Sequence, residues 1–252
     1  MVKTVSHVTI VLLTCAIGVQ TQIRFVDHFA NCRRSDPRFD NCLKDAINSV
    51  RPYFKTGLPQ YGVRPFDPFH AEEVVQVRGG PTFSYRLVLR NVTEAGWTAS
   101  EITRLRTNFN KNEMQFTQFF PEKRLNGEYE FEASIFGRRI NNSGSWDLLL
   151  NDYTQTMKVT RNPRMTQFGN MVYDTPMKVD VNVQFCRHLE MHVSNLLGGR
   201  PLLENIADRM INSAWPPGFM LLRPIIGDLV GTAFTKIFND NLMNFPFDRL
   251  VQ

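Results

Sequence analysis

From residue 177 to 185 the chain alternates without a break. Met177, Val179, Val181, Val183 and Phe185 are apolar, and Lys178, Asp180, Asn182 and Gln184 between them are polar. Successive side chains of a strand point to opposite faces, so strict period 2 means one dry face and one wet face, as in an antiparallel sheet. Two other stretches repeat the pattern. Phe83, Tyr85, Leu87 and Leu89 alternate with smaller or polar neighbours, and Tyr129, Phe131, Ala133 and Ile135 alternate with Glu128, Glu130, Glu132 and Ser134. Residues 74–195 therefore predict about six to eight strands, with Asn126-Gly127 and Ser143-Gly144 as turns between them and no parallel βαβ rhythm.

A sheet with one dry face needs a cover, and both ends of the chain carry helical spacing. Phe39, Leu43, Ala46, Ile47, Val50 and Phe54 form one stripe, which predicts a helix of about 17 residues opened by Asp36-Pro37 and stopped by Gly57. The prolines of GLPQYGVRPFDPF, residues 57–69, then force an extended connector. Leu202, Leu203, Ile206, Ala207, Met210 and Ile211 have helical spacing, and Pro216-Pro217-Gly218 interrupts it. Beyond lie Ile225, Ile226, Leu229, Val230, Ala233, Phe234, Ile237 and Phe238, a stripe two residues wide, with Asp228, Thr232, Lys236 and Asn239 facing outward. A helix over 219–240 would run roughly 33 Å. Its apolar face is too wide for one neighbouring helix. The expected fold is α+β: a long C-terminal helix wrapped by a strongly curved antiparallel sheet with a dry concave face.

The compartment follows from the first residues. Lys3 and the apolar run Val8–Val19 have a signal-peptide layout, with 1–20 as the signal and cleavage around 18–22. Gln20, Thr21, Gln22 and Arg24 stop the run short of the roughly 20 apolar residues that span a membrane. The remainder, 23–252, reads as a single secreted domain. Cys15 leaves with the signal. Cys32 and Cys42 are then expected to form a disulfide in an oxidising compartment, and Cys186 is a buried thiol or an intermolecular bridge. Asn91-Val92-Thr93 and Asn141-Asn142-Ser143 are glycosylation sequons on expected exposed turns. The formal charge of +5 falls by one with Lys3. What remains is scattered in pairs such as Arg33-Arg34, Lys123-Arg124 and Arg138-Arg139, not concentrated as nucleic-acid binding requires.

No nucleophile elbow, H-E-x-x-H or phosphate loop occurs. His188, Glu190 and His192 share a strand face, but it is the wet one, so a solvated polar face outweighs a zinc site there. Glu128, Glu130 and Glu132 likewise point outward, which suits no acid–base pair. The pattern is not that of an enzyme and implies no cofactor or metal. It is rich in apolar inventory instead, with 20 Phe and 10 Met. Soft methionines suit a site that accepts varied apolar molecules.

Several segments together resemble the insect takeout and juvenile-hormone-binding protein family. They are the signal, the Cys32…Cys42 pair before its helix, GLPQYGVRPFDPF with Asp67-Pro68, NLLGGRPLLENIADRMINSAW at 195–215, and the ending KIFNDNLMNFPFDRLVQ at 236–252. The resemblance implies the tubular lipid-binding fold, a long helix inside a curved sheet enclosing a hydrophobic tunnel, with Cys32–Cys42 as the family's N-terminal disulfide anchoring the arm. Cys186 has no partner for the second disulfide of some members, which favours the takeout-like branch. GRRINNSGSWDLLL, 137–150, is more polar than the family pattern. The expected function is a secreted, monomeric carrier of an elongated lipophilic molecule such as a terpenoid hormone, a fatty acid or an apolar odorant. Candidate tunnel residues are Val50, Phe54, Phe83, Tyr85, Leu87, Tyr129, Phe131, Val181, Val183, Ile226, Val230 and Phe234, with Tyr85 or Tyr129 as hydrogen-bond donor. The alternative is an interaction factor with a filled core that contacts a membrane or receptor.

Overall fold

The alternating stretches fold as antiparallel strands of one sheet. The computed structural model describes residues 24–250 apart from 81, 169–170, 173–174, 197–200, 215–216 and 248–249, so the expected signal and its cleavage point lie outside the described residues. The strands are β1 (Phe69–Gly79), β2 (Phe83–Ala95), β3 (Glu101–Asn108), β4 (Glu113–Ile135), β5 (Arg138–Thr160) and β8 (Lys178–Val193), with a small separate pair, β6 (Arg164–Met165) and β7 (Met171–Val172). Their order is β1-β2-β4-β5-β8, with β3 beside β4. The edge strands β1 and β8 do not pair with each other, so the sheet is not closed. Helices α1 (Phe39–Ser49) and α2 (Tyr53–Thr56) precede it, and α3 (Pro201–Ala214) and α4 (Pro217–Leu242) follow it.

Several local expectations differ from the structure. Asn126-Gly127 and Ser143-Gly144 are not turns; they lie within β4 and β5, which pair from Glu113↔Thr160 to Ile135↔Arg138. These glycines serve close approach instead: a Cβ on Gly127 would stand 2.9 Å from the Arg90 carbonyl oxygen, and one on Gly144 2.6 Å from that of Ser194. Phe185 does not continue the dry face. A register shift opposite Thr154/Gln155 reverses the pleat, leaving Phe185 54% exposed while Cys186 is buried. The first helix ends at Ser49 and resumes at Tyr53, because Pro52 has no N–H to continue the ladder. The stripe on α3 does not all turn inward either, since Ile206 and Met210 are exposed.

The reason for that last departure is how the helices meet the sheet. Strand edges carry unpaired N–H and C=O groups, and here asparagine side chains take them up. Asn239 of α4 accepts from the Met177 N–H (2.7 Å) and donates to the Met177 carbonyl (2.8 Å). Asn212 of α3 does the same at Met191, at 2.9 and 3.2 Å. Asn48 of α1 does so at Ile102 on β3, at 2.8 and 2.9 Å. Each amide acts as one more peptide unit added to the ladder. Asn239 thus faces β8, not solvent as its place in the stripe suggested, and α3 turns Asp208 and Asn212 to β8 at the expense of Ile206 and Met210. Thr235 adds a bond from the Val179 N–H to its hydroxyl, 2.9 Å. Gly227 and Gly231 let α4 lie close: Cβ atoms there would stand 2.6 and 3.0 Å from the carbonyl oxygens of Val181 and Val179.

Helix α4 lies along β8 and also touches β1. At β1, Asp228 accepts from Gln76 Nε2 at 2.7 Å and pairs with Arg78 at 2.7 Å. Its inward residues Phe234 and Ile237 are 1% and 4% exposed and join the main core with Met157, Val179, Val181 and Val183.

Candidate functional site

The N-terminal residues assemble a wall of their own. Phe25–Phe29 forms one 3-10 turn, and the Cys32–Cys42 disulfide ties the arm to α1. Phe29, Cys32, Phe39, Ala46 and Val50 pack as a cluster that Leu250 of the C-terminal tail also joins. Phe25 stacks edge-on against both Tyr53 and Phe245, with ring centroids 5.5 and 6.0 Å apart. Asp67 holds the turn between β2 and β3, accepting from the N–H groups of Gly96 (3.0 Å) and Thr98 (2.7 Å). That turn delivers Trp97 against Phe66, 4.8 Å between rings.

Between this wall and the sheet is an apolar cavity of about 790 Å³. Its lining includes Phe29, Leu43, Ile47, Val50 and Phe54 from the arm and first helices. Trp97, Ile102, Met114, Phe116, Val159 and Met177 come from the sheet side, and Phe238, Leu242, Phe245 and Phe247 from α4 and the tail. Arg34, Arg64, Asn108 and Asn244 also line it and are exposed, so they mark its rim. Gln118 on the lining is buried and donates to Ser100 Oγ at 2.7 Å. A second hollow, about 460 Å³ between α3 and the sheet, is walled by groups such as Arg124, Asp147, Glu190, His192 and Asp208 and lacks this apolar character.

Behind Trp97 stands a feature that no alternation pattern announced. Lys123 is 3% exposed, and its Nζ lies 2.6 Å from Glu94 Oε1, itself buried. The ammonium faces four rings, Phe120, Trp97, Tyr153 and Phe234, at 4.4, 4.9, 5.3 and 5.5 Å from their centroids. Attraction to ring faces and to a carboxylate compensates the lost hydration. Burial, with Glu94 nearby, holds the Tyr153 hydroxyl far above the usual phenol range.

Of the candidates read from sequence, Val50 and Phe54 line the cavity. Val181, Val183 and Phe234 are in the packed main core, with Ile226 and Val230 against it. Tyr129, Leu87 and Phe131 belong to a third cluster with Val92, Trp146 and Val193, and the Tyr129 hydroxyl donates to the Ser194 carbonyl at 2.8 Å. The Tyr85 hydroxyl donates to Gln76 Oε1 at 3.1 Å, and Phe83 is 47% exposed. The pattern missed Phe25, Phe29, Phe116, Phe245 and Phe247, which lie in turns, the tail or a strand without clean alternation. The one available signal was the density of phenylalanine at both chain ends.

His188 and His192 are exposed and each meets one carboxylate, Glu190 at 2.9 Å and Asp208 at 2.5 Å. Among the described residues no three His, Cys, Asp or Glu side chains gather as a metal site needs, and no helix is long and apolar enough to cross a membrane. Asn91 and Asn141 are exposed, within β2 and β5 instead of turns. Cys186 is free, donates to the His188 carbonyl at 3.1 Å, and is pushed up to about 11 by burial.

Comparison with solved structures finds takeout 1 of Epiphyas postvittana, at TM-score 0.59 and 16% identity, over 84% of this chain and 96% of that one. Lipopolysaccharide binding protein matches at TM-score 0.33 and 11% identity, over 81% of this chain and 39% of that one, too distant to carry an argument. No curated protein matches in sequence. The takeout 1 likeness shows a shared fold, a large antiparallel sheet with a helix. The family model for haemolymph juvenile hormone binding protein matches residues 10–252, nearly the whole chain, and this protein belongs to that family.

Proposed function

We propose that the protein is a carrier that holds a lipophilic small molecule in the cavity beside its N-terminal arm. The observation that carries this reading is the cavity, about 790 Å³ walled by aromatic and aliphatic side chains. That volume suits a small ligand, and transfer from water into such a wall is favourable by about 25 cal/mol per Å² buried. Membership of a family named for hormone binding supports it. An apolar body with one polar end matches a largely apolar wall that carries Arg34 and Arg64 at its exposed rim. A terpenoid, a fatty acid and an apolar odorant all have that form. Val50 and Phe54 are the sequence candidates best placed to touch it.

The finer reading is a tunnel. In it α4, which meets both β8 and β1, forms the wall opposite the sheet, and Val181, Val183, Ile226, Val230 and Phe234 lie further along. Trp97 belongs both to the cavity lining and to the Lys123 cage, so an elongated molecule loaded from the arm side would stop at that ring unless the cage moves. Secretion through residues 1–20, action as a monomer and glycosylation at Asn91 and Asn141 complete the proposal.

The test is native mass spectrometry of protein collected from insect-cell medium, before and after enzymatic deglycosylation, followed by solvent extraction. The expected result is an extra mass that leaves with solvent, and salt-insensitive reloading by fatty acid. Bare chain mass together with no uptake from a mixed lipid library would overturn the carrier reading.

A further inference from the structure

The β4–β5 hairpin is long, 23 residues in each strand, and the cavity lies at its open end, where Met114, Phe116 and Val159 sit. At the other end the chain reverses in two residues, Phe136 and Gly137, closed by the pair Ile135↔Arg138. Both have positive φ, 48° and 78°, the pattern of a type I′ turn. That turn favours Asn, Asp or Gly at its first position, because an L side chain at positive φ crowds its own backbone. Phenylalanine has no polar group to offset the crowding. It gains no burial either, since Phe136 is 81% exposed.

Phe136 does not stand alone. Val77, Phe83 and Ile140 on the adjoining strand ends are 67%, 47% and 46% exposed. Arg138 and Arg139 follow the turn, both exposed and without a carboxylate partner among the described residues. The first acidic residue back along β4, Glu132, stands opposite Arg86 and Asn141. The tip therefore exposes apolar and basic side chains, at a site where neither turn geometry nor core packing selects an aromatic ring.

We infer that this tip docks on an anionic lipid bilayer, with Phe136 entering the interface and Arg138 and Arg139 engaging lipid phosphates. A two-residue turn with its ring 81% exposed offers a peptide no cleft to enter. Aromatic rings favour the membrane interface, and basic side chains are drawn to anionic headgroups. The inference is independent of the carrier reading, because no tip residue lines the cavity.

The test is vesicle flotation of protein collected from insect-cell medium and deglycosylated, since Asn141 adjoins the tip. Binding to phosphatidylcholine vesicles containing phosphatidylserine, weakened by added salt, is expected. Phe136→Asn should lower partitioning about tenfold through lost apolar burial. Its melting temperature should not fall, because Asn-Gly is a preferred I′ pair. Arg138→Gln and Arg139→Gln should each cost about fivefold. Wild-type protein that ignores phosphatidylserine vesicles, or a Phe136→Asn variant that binds as wild type, would overturn the inference; in the first case the tip would remain as a contact for a protein.

Discussion

At the scale of single residues, Lys123 has the sharpest consequence. Read in sequence it is half of a basic pair with Arg124, and such pairs are ordinarily solvated. In the fold Arg124 is exposed and pairs with Glu122 at 2.7 Å, while Lys123 is enclosed with Glu94. The difference comes from the pleat, which sends neighbours to opposite faces. Removing one member of a buried pair strands the other charge. Lys123→Met should therefore lose about 3–5 kcal/mol of stability, and adding Glu94→Gln should recover much of it. Urea unfolding of both variants decides this. A single variant within about 0.5 kcal/mol of wild type would mean that the ammonium is hydrated after all.

At the scale of elements, glycine and asparagine set the contacts. Gly→Ala within a helix ordinarily stabilises by roughly 1 kcal/mol. At Gly227 the sign should reverse, because the new Cβ would meet the Val181 carbonyl oxygen at 2.6 Å, and overpacking costs about 1–3 kcal/mol. Gly231→Ala, with 3.0 Å to the Val179 carbonyl oxygen, should lose less. Melting temperatures that rise in both variants would show that α4 does not press on β8. Helix α3 is held partly by charge. The hydrogen bond to Asp208 raises the His192 pKa, helped by the nearby carboxylates of Asp147 and Glu204. A raised folded-state pKa means that the contribution is complete below the unfolded value of about 6.5 and fades as pH rises through the folded value. Opening of α3, read by hydrogen exchange at Met191, should increase as pH rises through that window, and His192→Gln should flatten the dependence. Identical pH profiles for the two proteins would remove the pair from this role.

At the scale of the whole molecule, the described N-terminal arm and C-terminal tail meet at the cavity. Phe25 and Phe29 come from the arm, and Phe245, Phe247 and Leu250 from the tail. A molecule bound there stabilises only the folded chain, by about 2.7 kcal/mol at a hundredfold excess over Kd. Delipidated protein should accordingly melt earlier than reloaded protein, and exchange protection on reloading should rise together in the arm and the tail. A stabilisation confined to β1 and β2 would place the molecule elsewhere.

Much of the architecture was legible because period 2 and period 3.6 are local properties of a chain. The alternation around Val179–Val183 and the stripe through Phe234 and Ile237 sufficed to expect an antiparallel sheet and a long C-terminal helix, and the Cys32–Cys42 bridge followed from spacing and compartment. Periodicity stops informing where a bulge shifts it, as at Phe185 and Cys186, or where a residue's role lies across space. Asn126-Gly127 carries the letters of a turn, yet the approach of Arg90 makes it strand; Phe136-Gly137 lacks those letters, yet it turns. The same limit hid the cavity. Its walls come from segments more than 200 residues apart in sequence, Phe29 to Phe245, and only packing brings such rings together. The sequence by itself determined which faces are dry. The tertiary structure decided where dry faces close on each other, as at Met157 and Phe234, and where they leave room, as at Phe116 and Val159, because a void depends on side-chain volumes and contacts that no local pattern specifies.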